Sequence, residues 1–226
     1  MTNKTYIITN TAGHSEKDSG AVTKKDGKLI KEADLAVKFR NAVLHYLQQD
    51  KSIITRTDGY GKTNLSLNDA AKLIEGADLS IEWHLNASSN PTATGVETIA
   101  LPKDKVLAQK ISSVVAQAFE LKLRGQDGWT DQSESARGKL LFVSKGGLIG
   151  ELGFISSTKD LEAFESRYWV AAKAVAEVMI EYVKLSTASK TEVDAKRLAE
   201  ERCVGLYNAL VDGEDGVDHP DTHNKE

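Results

Sequence analysis

The sequence has a single cysteine, Cys203, and no long apolar segment. One thiol rules out an internal disulfide framework and cannot by itself form a thiolate zinc site, so any metal must be held by His, Asp or Glu. No apolar run approaches the roughly 20 residues of a membrane span. The first ten residues also lack the apolar segment of a secretory signal. We therefore expect no stable membrane association and a product that begins in the cytosol.

An excess of basic residues is also missing. The net charge is -4 and the isoelectric point is about 5.8, so nucleic acid is not expected as a main partner. From Thr187 onward, five Lys/Arg stand against ten Asp/Glu, whereas residues 1–186 are close to neutral. The acidity therefore belongs to the C-terminal end of the chain.

The length of 226 residues and the 40% hydrophobic content are sufficient for one well-filled core with an appendage. We predict one domain over residues 1–186. A linker and a helix follow over 187–211, where Ser189 and Glu192 fit a capping box. Residues 212–226 are acidic and rich in helix breakers, which predicts disorder.

Short β-branched or aromatic segments alternate with segments of helical periodicity. This alternation predicts an α/β fold: a mainly parallel, twisted sheet of about six strands, flanked by helices on both faces. The predicted strands are 5–9, 52–57, 78–86, 95–101, 140–143 and 147–154. The predicted helices are 30–49, 67–76, 104–122 and 160–184.

The first strand leads to His14, and the helix after it begins near Glu32. Apolar residues at steps of three and four continue from Glu32 through Phe39 and Ala42, so Glu32 heads a buried stripe, whereas Asp34 is expected to meet solvent. A structural alternative exists for Glu32, because a carboxylate in the first turn is favoured by the helix dipole.

In the predicted strand 78–86, Ser80, Glu82, His84 and Asn86 share one face because side chains alternate along a strand. His84 and Asn86 lie at the end of that strand. Taken alone, a histidine in such a place is more often a hydrogen-bonded structural residue than a ligand.

Glu151 interrupts the small and apolar run "GLIGELGF", where an unpaired carboxylate would be costly to bury. One explanation is an ion pair with an arginine, such as Arg56 or Arg137. The other is a functional carboxylate.

Taken together, these residues indicate a metal site. Ligands in α/β proteins bind at the carboxyl ends of the strands, and His14, His84 and Glu151 all lie at or near such ends. Two imidazoles and one carboxylate satisfy a catalytic zinc and leave a fourth position for water. A further carboxylate would then act as general base.

Five segments in order carry a family resemblance: "GHSEKDSGA", "KEADLAVKF", "SIEWHLNA", "GVETIA" and "GELGFISSTKD". Over residues 5–184 the chain resembles the zinc-dependent N-acetylmuramoyl-L-alanine amidases, the family shared by bacterial autolysins and phage endolysins. The resemblance implies a zinc amidase catalytic domain over 1–186 that binds one zinc ion per chain and acts on peptidoglycan.

The resemblance also implies the roles of individual residues. His14, Glu32 and His84 would bind zinc, and Glu151 would be the catalytic acid/base that takes a proton from water and delivers it to the leaving amine. Asp18, with Gly20 and Ala21, would shape the loop before the first helix, and Asn86 would support the zinc site. Arg56 and Arg137 are further candidates for substrate binding.

Three features depart from the family pattern. Ser157 stands where an Asn is common, Gly146–Gly147 where a Pro often precedes the last strand, and Asn68 near the place of an expected arginine. Because these positions lie at the strand entry and the substrate rim, they bear on substrate preference more than on metal binding.

We therefore expect a peptidoglycan hydrolase that cleaves the amide bond between N-acetylmuramic acid and L-alanine. A phage endolysin or lysis-type autolysin that waits in the cytoplasm for membrane disruption is the favoured setting. The alternatives are a zinc peptidase acting on the stem peptide, although its usual His-x-x-Glu ligand pair is absent, and an inactive murein-binding module. The oligomeric state is open, a monomer included.

Overall fold

A computed structural model describes residues 4–15, 17–90, 92–135 and 138–188. The helix predicted near 190–211, the acidic tail and Arg137 all lie outside the described residues. Helix α5, defined below, extends to Ala188 and so continues two residues past the predicted domain boundary at 186.

The chain alternates strands and helices. The strands are β1 Tyr6–Ala12, β2 Val22–Lys25, β3 Lys28–Lys31, β4 Ile53–Thr57, β5 Leu79–Asn86, β6 Glu97–Ala100, β7 Trp129–Asp131 and β8 Leu148–Phe154. The α-helices are α1 Glu32–Leu47, α2 Leu67–Ala70, α3 Lys105–Phe119, α4 Leu141–Ser144 and α5 Thr158–Ala188. The described residues also include three 3-10 turns, Ala71–Ile74, Pro102–Asp104 and Gln132–Glu134.

Six strands form one twisted sheet in the order β4-β1-β5-β8-β6-β7. Within the described sheet, the β6–β8 pair is antiparallel and the other four pairs are parallel. Strands β2 and β3 form a separate antiparallel hairpin. The predicted fold class, a mainly parallel sheet of about six strands, is confirmed.

The two faces of the sheet are covered differently. The long helices α1, α3 and α5 pack on one face, with α5 between the other two, and enclose the main hydrophobic core. A smaller cluster, which includes Ile99, Phe142 and Ile149, covers part of the second face. That second face is therefore only partly filled by apolar side chains, which leaves room for a polar site.

Tight packing on the core face fixes the register of β5 and β8. Trp83 is paired with Gly150, and a Cβ atom on Gly150 would lie 2.5 Å from the Trp83 ring. The indole nitrogen of Trp83 donates to Asn10 Oδ1 at 2.7 Å. Only glycine leaves space for the indole at position 150, and the next residue, Glu151, is directed to the opposite face.

One predicted strand is wrong. Residues 140–143 were expected in the sheet, but Leu141–Ser144 forms the short helix α4, which buries Phe142 and Val143 in the smaller cluster. A run of four apolar residues does not distinguish a buried helical turn from a strand. The sixth strand is instead β7, whose three residues are too few to give a periodic signal.

The predicted helices are present, with shifted ends. The second is split into α2 and a 3-10 turn, and the last ends at Ala188 rather than at 184. Within the described residues, no helix has both the length and the apolar character of a membrane span.

Candidate metal centre

A cavity of about 530 Å³ opens on the second face, where the carboxyl ends of β1 and β5 and the first half of β8 meet the first turn of α1. Glu151 is the fourth of the seven residues of β8 and so lies within the strand. The lining residues are His14, Asp18, Gly20, Ala21, Glu32, His84, Leu85, Asn86, Ala87, Ile99, Ser135, Leu140, Ile149 and Glu151.

His14 follows β1 and is held by backbone contacts on two sides. The Gly13 amide donates to the Trp83 carbonyl at 2.8 Å, which extends the β1–β5 pairing. The Asn64 side-chain amide donates to the carbonyls of Ala12 and His14, at 3.0 and 2.7 Å. His14 itself has a φ of 67°, a left-handed conformation that a non-glycine residue adopts only when its surroundings hold it there.

Glu32 is the first residue of α1 and is 4% exposed. Its Oε1 atom lies 3.0 Å from His14 Nε2 and 3.0 Å from His84 Nδ1, and it also accepts from the Leu85 amide at 3.1 Å. Its Oε2 atom accepts from the Ala21 amide at 2.9 Å. The carboxylate is therefore fixed between the two imidazoles. Glu32 is buried and Asp34 is exposed, as the apolar stripe in α1 predicted.

His84 is oriented through its second nitrogen. Its Nε2 atom lies 2.9 Å from Glu82 Oε1, on a carboxylate that is 3% exposed. A proton on Nε2 would be donated to Glu82, which leaves the lone pair of Nδ1 directed at the cluster with His14 and Glu32. This is the carboxylate–histidine arrangement that fixes the tautomer of a metal ligand.

His14, Glu32 and His84 could together hold one metal ion. Each offers a ligand atom, and these atoms all lie within 4.8 Å of one another. Two nitrogens and one carboxylate oxygen match the donors of a catalytic zinc and leave a coordination position open.

Two glycines leave space for this cluster. A Cβ atom on Gly13 would overlap the ring of His84, and one on Gly20 would lie 2.6 Å from Glu32 Oε2 and 2.6 Å from His14 Cδ2. The backbone therefore approaches the three side chains as closely as it can, and the residues present fit a metal ion in both donor type and space.

The electrostatics of the cluster also favour a cation. Burial alone would lower the pKa of both histidines, but hydrogen bonds to Glu32, with Asp18 on one side and Glu82 on the other, outweigh it and raise the pKa of His14 and of His84. Burial opposes ionisation of Glu32, yet the two histidines hold its pKa well below the usual range. The site stabilises positive charge between these residues, which a divalent cation can supply in place of protons.

Glu151 lies beside His84, to which it is paired in register across β5 and β8. Its Oε2 atom is buried and has no hydrogen-bond partner among the described residues. Burial raises the pKa of Glu151 to about 7; His84 acts in the opposite direction, and the nearby Glu32 and Glu97 raise the pKa further. A buried carboxyl with a free oxygen and a near-neutral pKa is suited to proton transfer.

A second carboxylate, Glu97, stands next to Glu151 and is held by three donors. Its Oε1 atom accepts from the Asn86 side-chain amide at 2.9 Å and from Arg124 Nε at 3.0 Å, and its Oε2 atom accepts from the Thr130 hydroxyl at 2.6 Å. Both oxygens of Glu97 accept hydrogen bonds, whereas Glu151 Oε2 accepts none among the described residues. Glu97 is therefore a structural carboxylate, and Glu151 is free to exchange a proton.

The structure brings most of the predicted site residues together. The Asp18 carboxylate lies 3.0 Å from His14 Nδ1. Asn86 lines the cavity, and its side-chain amide donates to Glu97. Arg56 does not line the cavity: its guanidinium donates to the carbonyls of Leu73 and Glu75. Its hydrogen-bond partners are thus backbone carbonyls and not Glu151. Arg137, the other arginine considered, lies outside the described residues.

Sequence reasoning missed two residues of the site. Glu82 was placed on the same face as His84, but no role was predicted for it, although its position two residues before a candidate ligand could have indicated one. Glu97 lies within the motif "GVETIA", but only its pairing with Glu151 across the sheet shows what it contacts.

Solved structures provide an independent comparison. A protein of Neisseria meningitidis described as an N-acetylmuramoyl-L-alanine amidase is 40% identical, with a TM-score of 0.72 over 79% of this chain and 96% of that chain. The catalytic domain of the amidase CwlV from Paenibacillus polymyxa is 22% identical, with a TM-score of 0.68 over 79% and 98%. The catalytic domain of the endolysin CD27L, which targets Clostridium difficile, is 22% identical, with a TM-score of 0.54 over 79% and 96%. The latter two show the fold alone.

Among proteins with curated descriptions, none matches this sequence. The sequence profile described as N-acetylmuramoyl-L-alanine amidase matches residues 8–181, which is most of the chain and includes every residue of the metal centre. Together with the 40% identical relative, this match shows that the chain belongs to the N-acetylmuramoyl-L-alanine amidase family.

Proposed function

We propose that this protein is a zinc-dependent amidase that hydrolyses the bond between the lactyl group of N-acetylmuramic acid and L-alanine. The observation that carries the proposal is the cluster of His14, Glu32 and His84 beside the buried, unpartnered carboxyl of Glu151. Family membership supports the amidase chemistry, and the donor set supports the zinc ion.

Three residues would hold the metal: His14 through Nε2, Glu32 through its carboxylate and His84 through Nδ1. Zinc bound there would polarise the scissile carbonyl and lower the pKa of a water molecule to about 7. Glu82 fixes the ring of His84, and Asp18 contacts Nδ1 of His14, so both imidazoles present a defined nitrogen to the centre.

Glu151 would transfer the protons. The attacking water forms a bond to the carbonyl carbon and gives its proton to Glu151. The same carboxyl then donates that proton to the leaving nitrogen of L-alanine as the carbon–nitrogen bond breaks. The products are a carboxylic acid on the lactyl group and an amine on the stem peptide, and at neutral pH the acid gives its proton to the amine. Because water itself forms the new bond to carbon, no covalent enzyme intermediate is needed.

The burial of Glu151 serves both proton transfers. A carboxyl with a pKa near 7 is a stronger base than an exposed glutamate and is still able to release a proton near neutral pH. Ile99 and Ile149, which belong to the smaller apolar cluster, line the same cavity as Glu151.

Digestion of purified murein tests the proposal. Mass spectrometry should find free stem peptides that begin with L-alanine, together with uncleaved glycan chains. Stem peptides shortened from within would instead identify a peptidase, new reducing ends a glycosidase, and no product at all an inactive binding module.

Metal analysis tests the zinc assignment separately. The purified protein should contain one zinc per chain, and both His14→Ala and His84→Ala should lose it while retaining the circular dichroism spectrum of the folded protein. If His84→Ala retains stoichiometric zinc, the ligand assignment is wrong whatever the activity.

A lysis role, as a phage endolysin or a lysis-type autolysin, is the biological setting we propose. The chain shares its fold with an endolysin catalytic domain, which supports this setting. Cells that express the protein in the cytoplasm should remain intact until the membrane is permeabilised, and should then lyse faster than cells that express Glu151→Gln. Lysis without permeabilisation would contradict this setting.

A further inference from the structure

The hairpin of β2 and β3 projects from the catalytic domain beside the metal centre. Its turn is Asp26–Gly27, with φ values of 51° and 76°, the two left-handed residues that a tight hairpin turn requires. The register pairs Val22 with Lys31 and Lys24 with Leu29.

One face of the hairpin is anchored to the domain. Ile30 packs against the main core, and Lys25 Nζ forms an ion pair with Glu165 of α5 at 2.6 Å. These contacts fix the position of the hairpin, so that its other face has a defined orientation.

The other face, which we name the basic hairpin face, consists of Val22, Lys24, Leu29 and Lys31. All four residues are exposed; Val22 is 52% and Leu29 55% accessible. The face therefore combines two cationic side chains with two apolar ones and contains no acidic residue. A cationic and apolar surface is complementary to an anionic partner that also has small apolar groups.

Both strands of the hairpin connect directly to the metal centre. Gly20 and Ala21, which line the cavity, lead into β2, and β3 ends at Lys31, immediately before Glu32. Ala21 and Glu32 are joined by two hydrogen bonds, from the Ala21 amide to Glu32 Oε2 and from the Glu32 amide to the Ala21 carbonyl, both at 2.9 Å. Val22 and Lys31, which belong to the basic hairpin face, are therefore the chain neighbours of a cavity residue and of a residue of the metal centre.

A cavity of about 530 Å³ has the size of a site for one small ligand. Polymeric murein extends beyond it, and its stem peptides carry carboxylates and alanine methyl groups. The charge and apolar character of the basic hairpin face match that chemistry.

We propose that the basic hairpin face is a docking surface for polymeric murein, in which Lys24 and Lys31 pair with carboxylates of stem peptides next to the one being cleaved. The proposal rests on the proposed function, since it assumes that murein is the substrate. It adds a second contact region, outside the cavity, that distinguishes polymer from fragment.

The test compares binding and turnover on two substrates. The double variant Lys24→Glu/Lys31→Glu is combined with Glu151→Gln for sedimentation with purified sacculi, so that binding is measured without hydrolysis. We expect at least about 10-fold weaker binding, because each reversal removes an attraction and introduces a repulsion. In the active background, hydrolysis of sacculi should fall similarly, whereas hydrolysis of a soluble disaccharide with one stem should stay within about 2-fold.

Lys51→Glu/Lys145→Glu is the matched control. Both lysines are exposed and precede β4 and β8, at the amino ends of the strands and so at the opposite edge of the sheet. This variant carries the same change in net charge and should bind sacculi as the wild type does. If both double variants lose the same amount of binding to sacculi, the loss is caused by the change in net charge and not by the hairpin, and the proposal is overturned.

Two treatments identify the anion. Neutralising the carboxylates of the sacculi with carbodiimide and an amine should abolish the difference between wild type and the hairpin variant, while removal of phosphate polymers with hydrofluoric acid should preserve it. Loss of the difference after the acid treatment, or hairpin-dependent binding to phosphatidylglycerol vesicles in place of sacculi, would overturn the proposal.

Failure of the proposed function gives a different result. If the wild type does not cleave the soluble fragment, the proposed function fails, but sedimentation with sacculi still measures whether the hairpin binds murein.

Discussion

Glu97 lies directly opposite Glu151 in the antiparallel pairing of β6 and β8. Paired residues direct their side chains to the same face, so two carboxyl groups share the polar side of the sheet. Glu97 is bonded to Asn86, Arg124 and Thr130, and its negative charge helps to raise the pKa of Glu151, after the larger effect of burial.

This pairing predicts a shift of the pH profile in Glu97→Gln. Removing the negative charge beside Glu151 should lower the pKa of Glu151, so the acidic limb of kcat/KM should move to lower pH. A bound cation lowers that pKa in wild type and variant alike, so the direction of the difference remains. The exposed Glu75→Gln is the control and should leave the limb in place; a limb that moves to higher pH in Glu97→Gln would contradict the prediction.

Glu151→Gln should separate chemistry from metal binding. The variant keeps the shape of the side chain but cannot accept a proton, so turnover of a soluble muropeptide should fall on the order of 100-fold or more. Zinc content should remain one per chain, since none of the three proposed ligands changes. Hydrolysis near the wild-type rate would reject Glu151 as the base.

The same variant should also change the stability of the metal-free protein. The pKa of Glu151 is raised from 4.5 to about 7 in the folded state. Its contribution to stability is therefore present below pH 4.5 and lost as the pH rises through 7, where ionising the buried carboxyl disfavours folding. At pH 8 with chelator, Glu151→Gln should raise the free energy of unfolding relative to wild type by up to about 3 kcal/mol.

Denaturant unfolding at two pH values checks this result. At pH 4, where the wild-type carboxyl is protonated in both states, the two proteins should unfold at nearly the same denaturant concentration. A difference that is the same at pH 4 and pH 8 would show that ionisation of Glu151 is not its cause.

Glu82→Gln should weaken metal binding without removing a ligand. Loss of the carboxylate at His84 Nε2 removes the group that fixes the ring and its tautomer, and such losses cost about 10- to 100-fold in metal affinity. Competition with a chromophoric chelator measures the zinc Kd, and nitrogen chemical shifts of His84 report the tautomer. An unchanged Kd together with an unchanged tautomer would show that Glu82 does not position His84.

Gly13→Ala should displace His84 by steric overlap, because the added methyl group would occupy the space of the imidazole ring. We expect loss of zinc at a concentration that saturates the wild type. The control is Gly76→Ala, where φ is 69° and the methyl group would meet nothing within 4 Å. That variant should lose stability through backbone strain alone and keep its zinc, so an equal loss of zinc in both would assign the effect to general destabilisation.

How much of this could be predicted from the sequence differs between elements. The alternation of short β-branched segments and helical periods was sufficient to predict a parallel sheet between helices, because each segment carries its own period. Residues 140–143 and β7 were misjudged for the opposite reason: three or four residues contain too little periodicity, and packing of Phe142 against Ile149 decides the conformation.

The sequence by itself determined the chemistry available: two histidines and several carboxylates at strand ends, with Glu82 and His84 on a common face because side chains alternate along a strand. The tertiary structure alone decided which groups meet. The strand order β4-β1-β5-β8-β6-β7 is not the order of the chain, so it sets Glu97 against Glu151 and Glu151 beside His84, while Arg56 is held by backbone carbonyls elsewhere. Neighbours across a sheet depend on strand order and register, which arise from the packing of the whole core and not from any one segment.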